Sequence, residues 1–178
     1  MSSAAGVARL VLPSPNGSAL ATELAHGGAV VLGACLRNRM VIARWLADQV
    51  RAAKQPPVIA VIAAGERWAD DSLRPAVEDL WGAGAVISGL AALGVTGLSP
   101  EARSAAAAFN AVAADMANEL ANCTSGRELA DRGFGPDVEA AADLDASTSV
   151  PLLADGRFVD AANQYRIMAP GAPADSLT

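Results

Sequence analysis

Short apolar runs alternate with longer amphipathic stretches along the first two-thirds of the chain. Residues 8–12, 29–32 and 58–63 are runs rich in valine, leucine, isoleucine and alanine, and a polar loop follows each of them. Runs that are apolar without alternation are typical of strands covered on both faces of a parallel sheet. Each loop leads into a predicted helix, so the strand–loop–helix pattern occurs three times.

Helical spacing of apolar residues predicts helices between and after these runs. Gly27-Gly28 ends the first helix, Asn38 is a candidate N-cap for the second, and Ser99-Pro100 opens the fourth. A turn at Asp155-Gly156 predicts a last pair of extended segments. The predicted helices span about 18–26, 38–55, 73–92, 99–120, 125–132 and 137–143.

Together these elements predict an α/β protein, a three-layer α/β/α sandwich with a mainly parallel sheet. We expect one domain over residues 1–168 and a disordered tail over residues 169–178, which are rich in proline, alanine and small polar residues. The glycines at 82 and 84 lie inside a predicted helix instead of following a strand. They therefore predict close helix packing and not a dinucleotide-binding turn.

Charge and composition exclude some classes of partner. The formal net charge of −6 and the lack of a basic patch argue against nucleic-acid binding. No apolar run is long enough to span a membrane. The two cysteines lack metal-site spacing, and no signal peptide is recognised, so we expect reduced thiols in the cytoplasm. The sequence leaves open whether the protein forms a homodimer.

Polar residues follow all three predicted strands, where ligands bind in open α/β sheets. Gly17 and Ser18 open a helix whose N–H groups can hold an anion. Arg37 or Arg67 can clamp two oxygens of a phosphate or sulfonate. Carboxylates can hold Mg²⁺ beside the bound anion. An anion site with Mg²⁺ beside it is typical of enzymes that transfer a phosphoryl group to water. The candidates for anion binding are Asn16, Gly17, Ser18 and Asn38. The candidates for catalysis are Arg37, Arg67 and Glu66, and those for metal binding are Glu78 and Asp79.

Each of these features also has a purely structural interpretation. Glu66 and Arg67 can form a solvated surface pair, and the loop at residues 14–18 can be an ordinary turn with a helix cap. Glu78 and Asp79 are adjacent, so they are expected to point to different sides of a helix. Cys35 is placed where a nucleophile could act, although an inert thiol is the more common outcome. Convergence on one sheet edge favours the functional interpretation.

At these loops the sequence resembles the 2-phosphosulfolactate phosphatase family from about Leu10 to Phe158. Each motif is weak alone, but their order and spacing are fairly specific. The matching segments are 14–18, 33–36 with Asn38, 64–67, 78–80 with 83–85, 125–129, 133–134 with 137–138, and 150–151.

The resemblance implies a layered α/β/α fold and Mg²⁺-dependent hydrolysis of the phosphate ester of a sulfonated hydroxy acid, as in coenzyme M biosynthesis. Our hypothesis is that Arg37 and Arg67 orient the phosphate and the sulfonate and that Glu66 takes part in catalysis. Arg127 is a further anion-binding candidate because it matches a family motif at a helix start. The substrate would be a small anionic phosphoester.

The family's N-terminal Asp-Val-Leu strand has no counterpart before residue 8, so we expect a chain that corresponds to the family's C-terminal two-thirds. A truncated, inactive homologue that only binds small anions is the alternative. A thiol enzyme that uses Cys35 as nucleophile is a further one.

Overall fold

A computed structural model describes Val7, Leu10, Val11 and residues 16–161, and about 55% of these residues are helical. Short 3₁₀ turns precede the second helix and separate the fourth from the fifth. The seven α-helices of the described part are α1 (Gly17–His26), α2 (Arg39–Ala52), α3 (Val77–Ala92), α4 (Pro100–Val112), α5 (Met116–Asn122), α6 (Thr124–Asp131) and α7 (Gly135–Ala141).

Two small antiparallel hairpins supply the strands of the described residues. Strand β1 (Glu66–Arg67) pairs with β2 (Leu73–Arg74), and β3 (Pro151–Ala154) pairs with β4 (Arg157–Asp160). The turn of the second hairpin has φ values of 50° at Asp155 and 71° at Gly156. Positive φ at both central residues is the geometry that an Asp-Gly pair favours, so the predicted final extended pair is confirmed.

Helix α3 lies at the centre of the molecule because small residues let its neighbours approach closely. A Cβ added at Gly84 would lie 2.1 Å from the carbonyl oxygen of Ala105 in α4. One added at Gly89 would lie 2.8 Å from the Cβ of Ala43 in α2. The prediction that small residues in this helix permit close packing is confirmed at Gly84.

The core follows the two faces of α3. One cluster forms with α4, α5 and α7, and its largest fully buried side chain is Phe109. A second forms with α2 and the second hairpin, and its fully buried members include Ile42, Val86 and Val150. A third, smaller cluster joins Ile87 of α3 to Ala105 and Ala106 of α4. Helices therefore cover each other's apolar faces and carry most of the burial.

The coarse α/β class is confirmed, but the described residues show neither a parallel sheet nor a three-layer sandwich. Residues 29–32 reach the second hairpin through a single antiparallel bridge between Leu32 and Leu152. Residues 58–63 form no strand, no backbone hydrogen bond joins them to another described residue, and Val58 is 97% exposed. The physical reason is that α3 buries its apolar faces against α2 and α4. These two helices make the contacts that a sheet would otherwise make.

Two predicted helix boundaries are wrong, and each has a local cause. Helix α3 begins at Val77 and not at residue 73, because Arg74 precedes a proline and is held extended, where it pairs in β2. The predicted helix over residues 99–120 is interrupted by the 3₁₀ turn at Ala113–Asp115. Its beginning is confirmed, since the Ser99 hydroxyl accepts a hydrogen bond from the N–H of Ala102.

Some sequence predictions lie wholly or partly outside the described residues. They are the strand at residues 8–12, the tail at residues 169–178 and the upper limit of the domain at residue 168. Within the described part, no helix combines the length and the apolar character needed to cross a membrane.

Candidate active site

A cavity of about 350 Å³ opens between helices α3, α6 and α7. Residues 34–37, from the loop that precedes α2, form one wall, and residues 61–64, which precede β1, form another. A concave site of this size suits a small organic ligand. Its lining contains four of the candidate residues predicted from the sequence: the thiol of Cys35, the guanidinium of Arg37, and the carboxylates of Glu78 and Asp79.

Glu78 and Asp79 occupy the first turn of α3, and both line the cavity. Both residues therefore contribute to one cavity, although they are adjacent in the helix. The Asp79 carboxylate accepts a 2.8 Å hydrogen bond from the N–H of Gly65. Burial raises the pKa of the Asp79 carboxyl, the Gly65 N–H partly offsets this, and the charges of Glu78 and Glu66 raise the pKa further. The electrostatic environment is thus one that a bound cation would relieve.

Arg37 lines the cavity, but its guanidinium is already engaged. It donates to the carbonyl oxygen of Ala140 near the C-terminal end of α7 and lies 3.4 Å from the Asp143 carboxylate. A cation at a helix C-terminus compensates the partial negative charge there. Arg37 can therefore reach the cavity while it also anchors α7.

Asn38 is the buried polar side chain of the site region and is only 4% exposed. Its Oδ1 accepts from the N–H of Cys35 at 2.8 Å, and its Nδ2 donates to the carbonyls of Gly33 and Ser149 at 3.2 Å each. These contacts shape the 33–38 loop, and Asn38 does not line the cavity. The geometry gives Asn38 a positioning role for Cys35 and Arg37, in place of the direct anion contact predicted from the sequence.

The first predicted loop approaches the third through one side-chain contact. Asn16 Nδ2 donates to the Glu66 carboxylate at 3.1 Å, which places the start of α1 beside β1. Asn16 precedes α1 without a capping hydrogen bond from its side chain, and Gly17 and Ser18 form the first helical residues. These residues and Glu66 lie outside the cavity lining.

Arg67 and Arg127 are also placed outside the cavity lining. The Arg67 guanidinium pairs with its hairpin neighbour Asp71, bonding the carbonyl oxygen at 2.9 Å and the carboxylate at 3.2 Å. Arg127 is an exposed residue of α6. The structure therefore brings together Arg37, Glu78 and Asp79 at the cavity, with Glu66 close to Asp79, and leaves these two arginines apart.

An ion pair between Arg74 and Glu128, here called the latch, is a feature that the sequence analysis missed. Arg74 in β2 donates two hydrogen bonds to the Glu128 carboxylate in α6, at 2.9 and 3.2 Å, and lies 5.1 Å from the centre of the Trp68 ring. The bond to Glu128 raises the Arg74 pKa. The latch ties the hairpin over residues 66–74 to the helix that forms one cavity wall.

The start of α6 is a part of the site from which the sequence analysis singled out only Arg127 as a candidate. Cys123 Sγ accepts from the N–H of Gly126 at 3.3 Å and so caps the helix, while Ser125 and Gly126 line the cavity. A Cβ at Gly126 would lie 1.8 Å from the Leu120 carbonyl oxygen, so only glycine fits there. The positive end of the α6 dipole therefore borders the cavity. The Ser-Gly-Arg sequence that follows Cys123 and Thr124 is the sequence feature that indicates a helix start at this place.

Glu78 and Asp79 are the side chains suited to hold Mg²⁺. Mg²⁺ commonly binds one or two carboxylates and completes its shell with water and substrate phosphate, so two adjacent carboxylates fit this ion. Among the described residues, no group of three or more histidine, cysteine, aspartate or glutamate side chains converges in metal-binding geometry. The donor set thus fits an ion that takes the rest of its ligands from water and substrate.

A comparison with known protein families identifies the family of the chain. A family model described as 2-phosphosulpholactate phosphatase matches residues 2–156 of the 178-residue chain. The match begins upstream of Leu10, where the resemblance of individual motifs starts. It covers every residue that lines the cavity and indicates a hydrolase that acts on phosphoesters. The chain belongs to the 2-phosphosulfolactate phosphatase family.

Proposed function

We propose that this protein is a Mg²⁺-dependent phosphatase. It would hydrolyse the ester of 2-phosphosulfolactate, or of a similar small anionic phosphoester, to the hydroxy acid and phosphate. The observation that carries the proposal is that Glu78 and Asp79 line one cavity with Arg37 and with the positive end of α6. Family membership supplies the class of reaction.

The residues that line the cavity would have different roles in the reaction. Glu78 and Asp79 would hold the ion, which would supply charge neutralisation for the phosphoryl oxygens and a lower pKa for a bound water. Arg37 and the N–H groups at the start of α6 would orient the phosphate.

Phosphate release tests the proposal directly. Racemic 2-phosphosulfolactate is incubated with the protein in Mg²⁺ and, separately, in EDTA. We expect release in Mg²⁺ and at least a hundredfold slower release in EDTA. Equal rates in both conditions would remove the metal from the reaction, and no release from folded protein would remove the phosphatase activity.

Binding without turnover is the second candidate function. It is favoured by one observation, that three metal-ligating side chains do not converge among the residues that the structure describes. A binding module predicts a higher Tm with phosphate or sulfolactate present. It also predicts no phosphate release in the assay above, so the same preparation separates the two functions.

A further inference from the structure

Arg74 is a cation that two sets of carboxylates attract. Glu66 lies directly opposite Arg74 in the β1–β2 hairpin, and Glu78 follows Arg74 at the start of α3. Side chains directly opposite each other in an antiparallel pair have Cβ atoms about 5 Å apart. Hydrogen bonding to Glu128 raises the Arg74 pKa, burial opposes the rise, and the charges of Glu66 and Glu78 add to it. The guanidinium is therefore within electrostatic range of Glu78, one of the two carboxylates proposed for Mg²⁺.

In the structure, the latch holds this guanidinium on Glu128. Arg74 donates to both carboxylate oxygens of Glu128, at 2.9 and 3.2 Å. Within the described part of the chain, no side-chain hydrogen bond leads from Arg74 to Glu66 or Glu78. The Arg74 side chain is only 18% exposed. Because a bidentate pair fixes the orientation of the guanidinium as well as its position, the latch keeps this positive charge from Glu78.

A guanidinium and a divalent ion compete for the same carboxylate oxygens. If Arg74 bonded Glu78, it would occupy lone pairs that the ion needs and would repel the ion by its charge. Other charged groups near the cavity are the same in every variant considered below, so their contributions cancel in the comparison. They are Arg37, Arg127, Asp137 and the N–H groups at the start of α6.

We propose, on the basis of the Mg²⁺ site of the phosphatase function above, that Glu128 is a positioning residue for the metal site. By holding Arg74, Glu128 leaves the oxygens of Glu78 free for the ion. When the charge of Glu128 is removed, Arg74 turns to Glu78 and Glu66 and competes with Mg²⁺. The latch thus sets the affinity of the site for the ion, in addition to holding the hairpin.

A double-mutant cycle on Mg²⁺ binding tests this inference. Mg²⁺ is titrated calorimetrically, without substrate, into the wild type, Glu128→Gln, Arg74→Gln and the double variant. We expect Glu128→Gln, which keeps the size of the side chain but not its charge, to raise the Kd for Mg²⁺ at least about fivefold. Arg74→Gln alone should change the Kd less than about twofold, because the wild-type guanidinium is already held away. In the Glu128→Gln background, the same substitution should return the Kd to within about twofold of the wild type.

The coupling between the two substitutions separates this role from simpler ones. If the residues act only through their charges, the two effects add, and Arg74→Gln lowers the Kd equally in both backgrounds. If the latch only holds the hairpin, the two single variants raise the Kd alike and the double variant recovers nothing. Either result overturns the inference.

Asp131→Asn is the matched control for the loss of one negative charge. Asp131 is an exposed carboxylate of the same helix as Glu128. We expect its substitution to change the Kd for Mg²⁺ less than about twofold. A change as large as that of Glu128→Gln would show that overall charge, and not the position of Arg74, sets the affinity, and it would overturn the inference.

The titration distinguishes failure of this inference from failure of the phosphatase function. The predicted cycle of Kd values supports the inference even if no phosphoester is hydrolysed. Hydrolysis by a protein in which Arg74 and Glu128 are not coupled keeps the phosphatase function and overturns the inference. A wild type that does not bind Mg²⁺ also overturns the inference, and phosphate release in EDTA then decides whether the protein is a phosphatase without the ion.

Discussion

The central helix α3 and residues 58–63 are both apolar, but they differ in how closely the rest of the protein packs against them. Along α3, glycines bring α2 and α4 into backbone-level contact, and residues such as Val86 are 1% exposed. Along residues 58–63, the chain is just as apolar, yet Val58 is 97% and Ile62 is 48% exposed. Hydrophobicity decides that a segment can be buried. Whether it is buried depends on a partner with a complementary surface.

The cavity proposed as the active site lies where these two regions meet. Glu78 and Asp79 belong to the well-packed helix, and residues 61–64 belong to the exposed segment. Helix α3 therefore positions the two carboxylates, and residues 61–64 complete the wall of the cavity.

The largest expected effect on stability comes from breaking the close contact between α3 and α4. We expect Gly84→Ala to lower the free energy of unfolding by about 3 kcal/mol, because the new Cβ would meet the Ala105 carbonyl oxygen at 2.1 Å. Gly82→Ala is the matched control in the same helix. No atom lies within 4 Å of its added Cβ, so it should be neutral or stabilise by up to about 1 kcal/mol. Chemical denaturation measures both, and similar losses would contradict this packing.

A second pair of variants compares the two regions directly. Val86→Ala should cost about 2 kcal/mol, since it opens a cavity in the core. Val58→Ala should change the free energy of unfolding by less than about 0.5 kcal/mol, since this side chain is exposed. If Val58→Ala costs as much as Val86→Ala, residues 58–63 are buried in solution, and the parallel sheet predicted from the sequence regains support.

Breaking the latch should affect the cavity more than the core. We expect Arg74→Ala and Glu128→Ala each to lower kcat/KM about tenfold, with amide hydrogen exchange accelerated in residues 66–74 and unchanged in α3. The reversed pair, Arg74→Glu with Glu128→Arg, should recover part of both losses, because the attraction is restored. A reversed pair no better than the single variants would show that the ion pair does not hold the hairpin.

The smallest effect concerns the pH dependence of stability. Burial raises the pKa of Asp79 in the folded protein, so folding becomes less favourable as the pH rises through that range and the carboxyl ionises. Asp79→Asn keeps an acceptor for the Gly65 N–H and does not ionise. The variant should therefore have a Tm at or above that of the wild type at pH 7. This advantage should shrink as the pH falls toward the pKa of an unfolded aspartate, about 4, and be absent below it. An advantage that grows in acid would contradict the raised pKa.

The parts of this structure that sequence could predict are those with local causes. The Ser99 cap, the Asp155-Gly156 turn and the close approach at Gly84 each depend on residue types at one place in the chain. The latch joins residues 54 positions apart, and one sequence contains no signal for such a pair.

The parallel sheet was predicted from apolar runs, which report hydrophobicity but not pairing. For the candidate site, Arg37, Glu78 and Asp79 were predicted and do line the cavity. Arg67 was chosen from its loop position, and its pairing with Asp71 depends on a hairpin that the sequence analysis did not predict.

The central claim is that the carboxylate pair at the start of α3 performs phosphoester hydrolysis. The most direct test is the initial rate of phosphate release in Mg²⁺ by the wild type and by the double variant Glu78→Gln with Asp79→Asn, at equal concentrations of folded protein. We predict that the double variant keeps its fold and loses at least a hundredfold in rate. A double variant that retains more than a tenth of the wild-type rate would contradict the claim.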